Sequence, residues 1–196
     1  QLDKLSVSGI QDISKDDLLF AKEMDSTIKL ICFATKKQDA VYATVRPMMV
    51  KNSNFISSVN GATNAVKVIN KYSEEHMLVG KGAGSLETGS AIVSDIVFIA
   101  RYKDSMKNNY PKSDLILKDL NDFPFPYNII FNTEDSPGIT GLVTTCIGSQ
   151  NINIDTVGHN KHSKETALFS VATMPCTLSQ INKAIEEIKT KKPGVL

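Results

Sequence analysis

The chain contains 196 residues, enough for one large domain or two small ones with a sizeable buried core. Apolar residues make up 41% and charged residues 22%, which is typical of an ordinary globular protein. Because 22 Lys and Arg face 21 Asp and Glu, the net charge of +1 argues against a protein that binds nucleic acid or an anionic membrane surface.

The sequence carries no signal for a membrane span, a secretory leader or a metal site. No uncharged apolar run reaches the roughly 18 residues of a transmembrane helix, and no basic segment followed by an apolar stretch opens the chain. The cysteines and histidines are scattered without ligand spacing: Cys32, Cys146, Cys176, His76, His159 and His162. We therefore expect a reducing cytoplasm and no metal, nucleic acid or membrane partner. Since the first residue is Gln, we expect a fragment of a longer polypeptide.

The first half of the chain predicts a mixture of helices and strands. Ser14 precedes two acidic residues and an apolar run, which is typical of a capped helix start. The following segments are rich in β-branched and aromatic residues and predict strands. In chain order we expect a helix over DDLLFAKEM, strands over 28–34, 41–45, 65–69 and 76–79, and a helix over 87–102. This order indicates an α/β or α+β unit.

A polar segment over 104–126 separates the two halves. It contains Pro111, Pro124 and Pro126, as linkers between domains often do, and a short LILKDL that fits a strand. We therefore divide the chain into a domain over 1–108, a linker over 109–126 and a second domain over 127–196.

The second half has a sharper pattern. Apolar residues at helical spacing alternate with strand-like runs: a strand over 127–133, a helix over 139–147, strands over 151–157 and 167–174 with a polar turn over 159–164 between them, and a helix over 178–188. The order β-α-β-β-α is that of a ferredoxin-like βαββαβ unit whose last strand is short or missing.

Two loops are candidate binding sites. Gly80, Gly82 and Gly84 lie between a predicted strand and a predicted helix, where glycines let a backbone approach a flat or phosphorylated ligand. A tight strand-to-helix turn is the alternative explanation, because the spacing is not that of a dinucleotide fingerprint.

The second loop is Asp135–Gly138, with the sequence DSPG, and it also joins a strand to a helix. Asp135 or Ser136 fits a helix cap, Pro137 the first helical position, and Gly138 allows a ligand to reach free backbone N–H groups. Together with Asp135, these groups suit the carboxylate and ammonium ends of a small amino acid. A helix cap without any ligand is the alternative.

Read together, these segments resemble homoserine dehydrogenase. The resembling stretches are VSGI (7–10), DDLLFAKEM, IKLICFA, VRPMMV (45–50), VNGATNAV (59–66), VGKGAGSLETGSAIVSDI (79–96) and the region 127–190, in which DSPG and NINID (151–155) carry the likeness to an ACT domain. The resemblance implies a mixed-sheet substrate and dimerisation domain followed by a regulatory ACT domain.

The resemblance also implies site residues. The cofactor would be NAD or NADP, and its nicotinamide end would face Gly82, Ala83 and Gly84. The acid and the lysine that carry the hydride and proton chemistry in the family would lie upstream of Gln1, so the resemblance implies no catalytic residue in this chain.

For the ACT-like part the resemblance implies an amino-acid effector, threonine, shared between two such units of a homodimer. The candidate effector-binding residues, taken from the sequence and this resemblance together, are Asp135, Gly138, Ile139, Asn151 and Asn153.

The sequence departs from the family at three places. Glu87 stands where the family commonly has proline, the loop GHNKHSK (158–164) differs after the second ACT-like strand, and the closing strand of the ACT unit is short or missing. A second hypothesis, from a different class of function, is a stand-alone regulatory module that senses an amino acid and has no catalytic activity.

Overall fold

The computed structural model describes residues 5–103, 114–161 and 166–195. They fall into two compact units. The first takes its residues from Gln1–Met49 and Leu115–Leu196, and the second from Val50–Asp114. The predicted domain division at residues 108 and 126 stays a prediction, and each unit is described separately below.

Helix α1, Lys15–Glu23, confirms the predicted capped helix. The backbone N–H of Asp17 donates to Ser14 Oγ at 3.1 Å, and the N–H of Ser14 donates to Asp17 Oδ2 at 2.7 Å. This reciprocal capping box satisfies two backbone donors at the start of the helix. Phe20 and Ala21 are buried on the inner face of α1.

The first unit contains a four-stranded sheet built around β3. Its strands are β1 (Ser6–Val7), β2 (Ser26–Lys37), β3 (Ala40–Lys51) and β6 (Ile116–Leu117). The predicted strands over 28–34 and 41–45 are confirmed and are longer than expected, because the apolar and β-branched residues continue on both sides. A left-handed Gln38, with φ of 54°, makes the turn between β2 and β3. Both β1 and β6 run parallel to β3, and β6 lies in the predicted LILKDL strand.

The first unit also contains a second sheet with two helices, and these elements confirm the predicted β-α-β-β-α order. Its elements are β7 (Asn128–Glu134), α3 (Ile139–Ser149), β8 (Ile154–Lys161), β9 (Thr166–Thr173) and α4 (Leu178–Lys191). The strands are antiparallel in the order β7-β9-β8. Within residues 192–195, which follow α4, the structure shows no strand.

The bounds of β8 differ from the prediction. Residues 151–153 precede the strand rather than belong to it, because Asn151 adopts a left-handed conformation, φ of 57°, at the end of α3. At the other end, the ladder with β9 runs on to Lys161, so residues 159–161 are strand and not the start of a polar turn. Backbone pairing outweighs the polar character of this segment. The rest of the expected turn, residues 162–164, lies outside the described residues.

The hydrophobic core of this sheet lies between its strands and the helices α3 and α4. Phe131 and Phe169 occupy paired positions on β7 and β9, and their rings stack with centroids 5.2 Å apart. The other fully buried members come from β9 and both helices: Val143, Cys146, Ile147, Val171, Ala184 and Ile188. The two predicted helical stripes are therefore the core faces of α3 and α4.

The opposite face of this sheet is covered as well. A Cβ atom added at Gly158 would lie 3.0 Å from Ser170 Oγ and 4.0 Å from a ring carbon of Phe20, so α1 packs close to β8 and β9. Ser170 is fully buried, and its hydroxyl has no hydrogen-bond partner within the described part of the chain. A four-ring aromatic cluster also joins the first sheet to the segment before β7: Phe33, Tyr42, Phe123 and Phe125.

The close approach at Gly158 makes a testable pair of substitutions. Gly158→Ala should lower the free energy of unfolding by about 1–3 kcal/mol, since the methyl group overpacks against Ser170. Gly148→Ala is the matched control: its Cβ meets open space in α3, and it should raise stability by about 0.5–1 kcal/mol through helix propensity. Urea unfolding followed by circular dichroism measures both. Equal effects of the two substitutions would contradict the close packing.

The second unit consists of a hairpin and a long helix. Strands β4 (Thr63–Asn70) and β5 (Glu74–Lys81) pair antiparallel, and α2 covers Ser85–Tyr102. These elements confirm the predicted strands over 65–69 and 76–79 and the predicted helix over 87–102. No residue of α2 is buried, although the helix is rich in apolar side chains.

Many apolar side chains of this unit remain exposed: Val66, Ile69, Leu78, Leu86, Val93, Ile96 and Phe98. A two-stranded hairpin with apolar residues on both faces is at best marginally stable by itself. Within the described residues, no helix is long and apolar enough to cross a membrane.

Candidate functional site

The glycine-rich loop of the second unit is held by its neighbours in the hairpin. Gly82 follows β5, and its N–H donates to the carbonyl oxygen of Ala62 at 2.8 Å. Gly84 is the N-cap of α2 with φ of 135°, a conformation that favours glycine, and no side chain caps the helix through it. The carbonyl oxygen of Gly84 accepts from the Thr88 N–H at 3.0 Å, which closes the first turn of α2.

Side chains of the same unit lie against both glycines. A Cβ at Gly82 would overlap with the side-chain amide of Asn64, and a Cβ at Gly84 would overlap with the carboxylate of Glu87. Both contacts are with the far ends of side chains that could move aside, so only the positive φ of Gly84 requires a glycine here. The tight-turn alternative is therefore supported at Gly84, and the role of Gly82 in ligand binding stays a prediction.

Glu87 places a negative charge at the N-terminus of α2. Its carboxylate accepts a bond from Lys81 Nζ at 3.0 Å. A hydrogen bond to its own backbone N–H and the bond from Lys81 hold the pKa of Glu87 below its ordinary value. A carboxylate in this position satisfies the partial positive charge of the helix end, which proline cannot do. The departure from the family at Glu87 therefore has a structural effect.

The turn between β7 and α3 is built differently from the glycine-rich loop. Gly138 is the N-cap of α3, with φ of 88°, and no side chain caps the helix through it. The predicted cap by Asp135 or Ser136 is therefore wrong, because Gly138 occupies the N-cap position. Pro137 precedes the N-cap and is not the first residue of the helix. The chain reaches α3 through a turn, in which the Ile139 N–H donates to the Ser136 carbonyl oxygen at 3.3 Å.

Open space lies over Gly138. A Cβ added there would meet no atom within 4 Å, in contrast to Gly82 and Gly84. The first turn of α3 brings backbone N–H groups to this surface, and Asp135 lies at the end of β7 beside it. Gly80 in the glycine-rich loop has the same open space, so both candidate loops leave room for a ligand to approach the backbone at one glycine.

Asn151 and Asn153 lie at the other end of α3. The helix has 11 residues, which corresponds to a length of about 16 Å, and Asn151 directly follows its C-terminal cap. Asn151 uses its N–H in a bond to the Gly148 carbonyl oxygen at 2.9 Å. The structure therefore brings Asp135, Gly138 and Ile139 together, but places Asn151 and Asn153 far from them within one protomer.

A polar cluster that the sequence patterns did not indicate ties this end of α3 to α4. The carboxylate of Glu187 accepts bonds from Lys191 Nζ at 2.6 Å, Ser149 Oγ at 2.7 Å and Gln150 Nε2 at 3.2 Å. These bonds lower the pKa of Glu187 to about 2, with the Lys191 bond contributing most. Only the Glu187–Lys191 spacing of four residues signals part of this cluster in the sequence.

The Glu187 cluster predicts a pH dependence of stability. Because the pKa is lowered in the folded state, the cluster contributes stability above the ordinary pKa of 4.5 and loses it as pH falls towards about 2. Glu187→Gln should therefore flatten the loss of stability between these pH values. Thermal unfolding of the unsubstituted chain and of Glu187→Gln from pH 6 to pH 2 measures the pH dependence of stability. The control is Glu186→Gln, because the Glu186 carboxylate lies 3.9 Å from Lys189 Nζ. Parallel curves of stability against pH for Glu187→Gln and the unsubstituted chain would contradict the assignment of this pH dependence to Glu187.

Comparison with known proteins connects this architecture to one class of oxidoreductase. Residues 1–97 match the family model described as homoserine dehydrogenase. The homoserine dehydrogenase of Helicobacter pylori is 33% identical over 177 residues, 88% of this chain and 42% of that protein. The enzyme of Corynebacterium glutamicum is 26% identical over 197 residues, 96% of this chain and 44% of that protein.

Solved structures agree in fold. A homoserine dehydrogenase from Thiobacillus denitrificans matches over 100% of this chain and 46% of its own, with a TM-score of 0.85 and 22% identity. The S. aureus homoserine dehydrogenase at pH 6.0 matches over the same shares with a TM-score of 0.65. The mixed α/β fold with several sheets is therefore that of these enzymes.

The chain belongs to the homoserine dehydrogenase family. It spans less than half the length of the curated relatives that it matches. The family predicted from GKGAGS, VRPMMV and VNGATNAV is thus confirmed.

Proposed function

We propose that this chain is the C-terminal part of an NAD(P)-dependent homoserine dehydrogenase, which interconverts L-homoserine and L-aspartate 4-semialdehyde in the biosynthesis of threonine, methionine and isoleucine. The family match over residues 1–97 supports this function most directly. It covers three of the four strands of the first sheet, the hairpin and most of α2, which a stand-alone amino-acid sensor would not need. The enzyme is therefore favoured over the regulatory module.

In this proposal the glycine-rich loop forms one wall of the cofactor site. NAD or NADP, when bound, accepts or donates the hydride. Ala83 is exposed between Gly82 and Gly84, and the Asn64 amide lies beside the loop, so an incoming ring would meet these groups and the Glu87 carboxylate. The chain supplies a wall and no hydride donor or acceptor of its own.

We further propose that residues 127–195 form an ACT-type regulatory unit. Two observations support it: the β7-β9-β8 sheet with α3 and α4 on one face, and the open space over Gly138. The backbone N–H of Gly138 would hold the carboxylate of an amino acid, and Asp135 would hold its ammonium group. The Ile139 N–H would have to leave the Ser136 carbonyl oxygen in order to join the carboxylate. Threonine, an end-product of the proposed pathway, is the effector we expect.

The geometry of α3 sets how such a site is assembled. Since Asn151 and Asn153 lie about 16 Å from Gly138 along the helix, one small ligand can contact both ends only if they come from two protomers. A homodimer provides this arrangement. Each unit also offers exposed apolar residues for a contact between subunits: Leu30 and Cys32 on β2 in the first unit, and Val66 on β4 in the second.

Calorimetry tests the regulatory proposal. Threonine should bind the chain, and Asp135→Asn should weaken binding at least tenfold, because a charge-assisted bond to the ammonium group is lost. Asp95→Asn, an exposed aspartate on α2, is the control and should bind like the unsubstituted chain. The Asp135 substitution is preferable to a side chain at Gly138, whose positive φ would strain any other residue.

Two results would contradict the proposal. The first is that threonine does not bind the unsubstituted chain, and the second is that both aspartate variants bind it equally well. Light scattering provides the parallel test of assembly, in which a clean monomer at micromolar concentration, with and without threonine, would contradict the shared site.

A further inference from the structure

The segment that precedes β7 is attached at its first end to the turn between β2 and β3. The N–H of Ile116 donates to the Asp39 carbonyl oxygen at 3.1 Å, and the N–H of Lys118 donates to the Val41 carbonyl oxygen at 2.9 Å. Asp39 belongs to that turn, and Val41 is the second residue of β3. Two backbone bonds therefore fix the start of the segment to the first sheet.

The other end of the segment is attached to the corner between β9 and α4, residues 174–177. The N–H of Phe125 donates to the Cys176 carbonyl oxygen at 3.0 Å, and the N–H of Cys176 donates to the Phe125 carbonyl oxygen at 2.9 Å. Just before this pair, Leu120–Asp122 form a short 3₁₀-helix that lies against α4, and Leu120 is 2% exposed. The segment thus contacts both the corner and the helix that follows it.

Aromatic rings hold the segment against the first sheet between these two ends. The Phe123 ring centroid lies 5.8 Å from that of Phe33 on β2 and 5.0 Å from that of Tyr42 on β3. The Phe125 ring lies 5.1 Å from Phe33, and Lys37 Nζ lies 4.5 Å from the Phe123 centroid. Ring pairs and a cation over a ring attract each other at these separations. Phe123 therefore grips both strands beside their turn.

We propose that residues 115–126, which the sequence predicts as part of a linker, form a strap that couples the turn between β2 and β3 to the corner between β9 and α4. The rings of Phe123 and Phe125, whose centroids are 4.9 Å apart, connect its two ends. Since every part of the strap is held, an opening at one end loosens the other. The strap carries regulation only if the ACT-type unit binds an effector, and to that extent it rests on the proposed function.

Amide hydrogen exchange of the full chain tests the strap without a ligand. The Cys176 N–H reports on the corner, and the Met174 N–H, which donates to the Asn153 carbonyl oxygen at 2.8 Å, reports on the adjoining sheet. Tyr42→Leu removes a ring that touches the strap through Phe123. We expect about fivefold faster exchange at Cys176, from the loss of one aromatic pair, and no change at Met174.

A double-mutant cycle separates coupling from two independent local effects. Phe123→Leu breaks the connection between Tyr42 and the corner, so it should speed exchange at Cys176 at least as much as Tyr42→Leu does. Adding Tyr42→Leu to Phe123→Leu should then cause no further acceleration, because the path between the two ends is already broken. A strap that is merely docked at two separate places would give additive effects.

Two further variants complete the experiment. Lys37→Gln alters an exposed side chain and leaves all four rings in place, so it does not endanger folding. It should still speed exchange at Cys176 about twofold through the lost cation over Phe123. Tyr72→Leu makes the same chemical change as Tyr42→Leu at a tyrosine that is 91% exposed, and it should change neither amide.

Three results would overturn the strap. They are unchanged Cys176 exchange in both Tyr42→Leu and Lys37→Gln, additive acceleration in the double variant, and equal acceleration at Cys176 and Met174, which would indicate general loosening. Because no threonine is added, these outcomes are separate from the calorimetric test of effector binding.

Discussion

Phe169→Ala should lower the free energy of unfolding of the first unit by about 3–5 kcal/mol. The ring is fully buried, stacks on Phe131, and lies in the core between β9 and the two helices. Its removal leaves a cavity that close-packed neighbours cannot fill. Urea unfolding followed by near-ultraviolet circular dichroism measures the loss.

Met174→Ala is the matched control for this prediction. Met174 directly follows β9 and is 49% exposed, so its truncation should change stability by about 0.5 kcal/mol or less. Comparable losses for the two variants would show that the space between β9 and the helices is not the core of the unit.

The purified 196-residue chain should not oxidise homoserine with either NAD or NADP. It spans 42% and 44% of the two relatives compared above, and the resemblance places the acid and the lysine of the reaction outside it. The glycine-rich loop supplies backbone, an amide and a carboxylate–lysine pair, none of which replaces a proton donor aligned with bound substrate. Absorbance of the reduced cofactor at 340 nm measures turnover.

The Helicobacter pylori enzyme, assayed in parallel under the same conditions, is the positive control. Turnover by the 196-residue chain above the level without protein would contradict the proposal that the catalytic residues lie outside this chain. Whether threonine binds has no bearing on this assay, so the catalytic and regulatory proposals are tested separately.

Element types were predictable because periodicity is local. The apolar spacing of α3 and α4 and the Ser14 cap of α1 depend on residues within a few positions of each other, and the structure confirms all three. Errors occurred where distant pairing decides the outcome. The ladder with β9 extends β8 to Lys161 through a polar segment, although no residue in that segment favours a strand by itself.

The candidate site was predictable only in part for the same reason. The sequence placed Gly82 and Gly84 in a strand-to-helix turn, but the side chains that cover them come from Asn64, 18 positions earlier, and Glu87. Likewise, Arg46 donates to Ser6 Oγ, which lies 40 positions earlier in the chain. Such contacts follow from topology, which local patterns do not determine.

If the proposed effector site is shared between two protomers, the distance between the two ends of α3 makes ligand binding and subunit association one coupled equilibrium. If the amino acid is held by Gly138 of one protomer and Asn153 of its partner, each bound ligand also stabilises the dimer, and each dimer creates its binding sites. The apparent dissociation constant would then fall as the protein concentration rises. A dilute sample would bind weakly and a concentrated one tightly, so the cellular abundance of the protein would itself set its sensitivity to the effector.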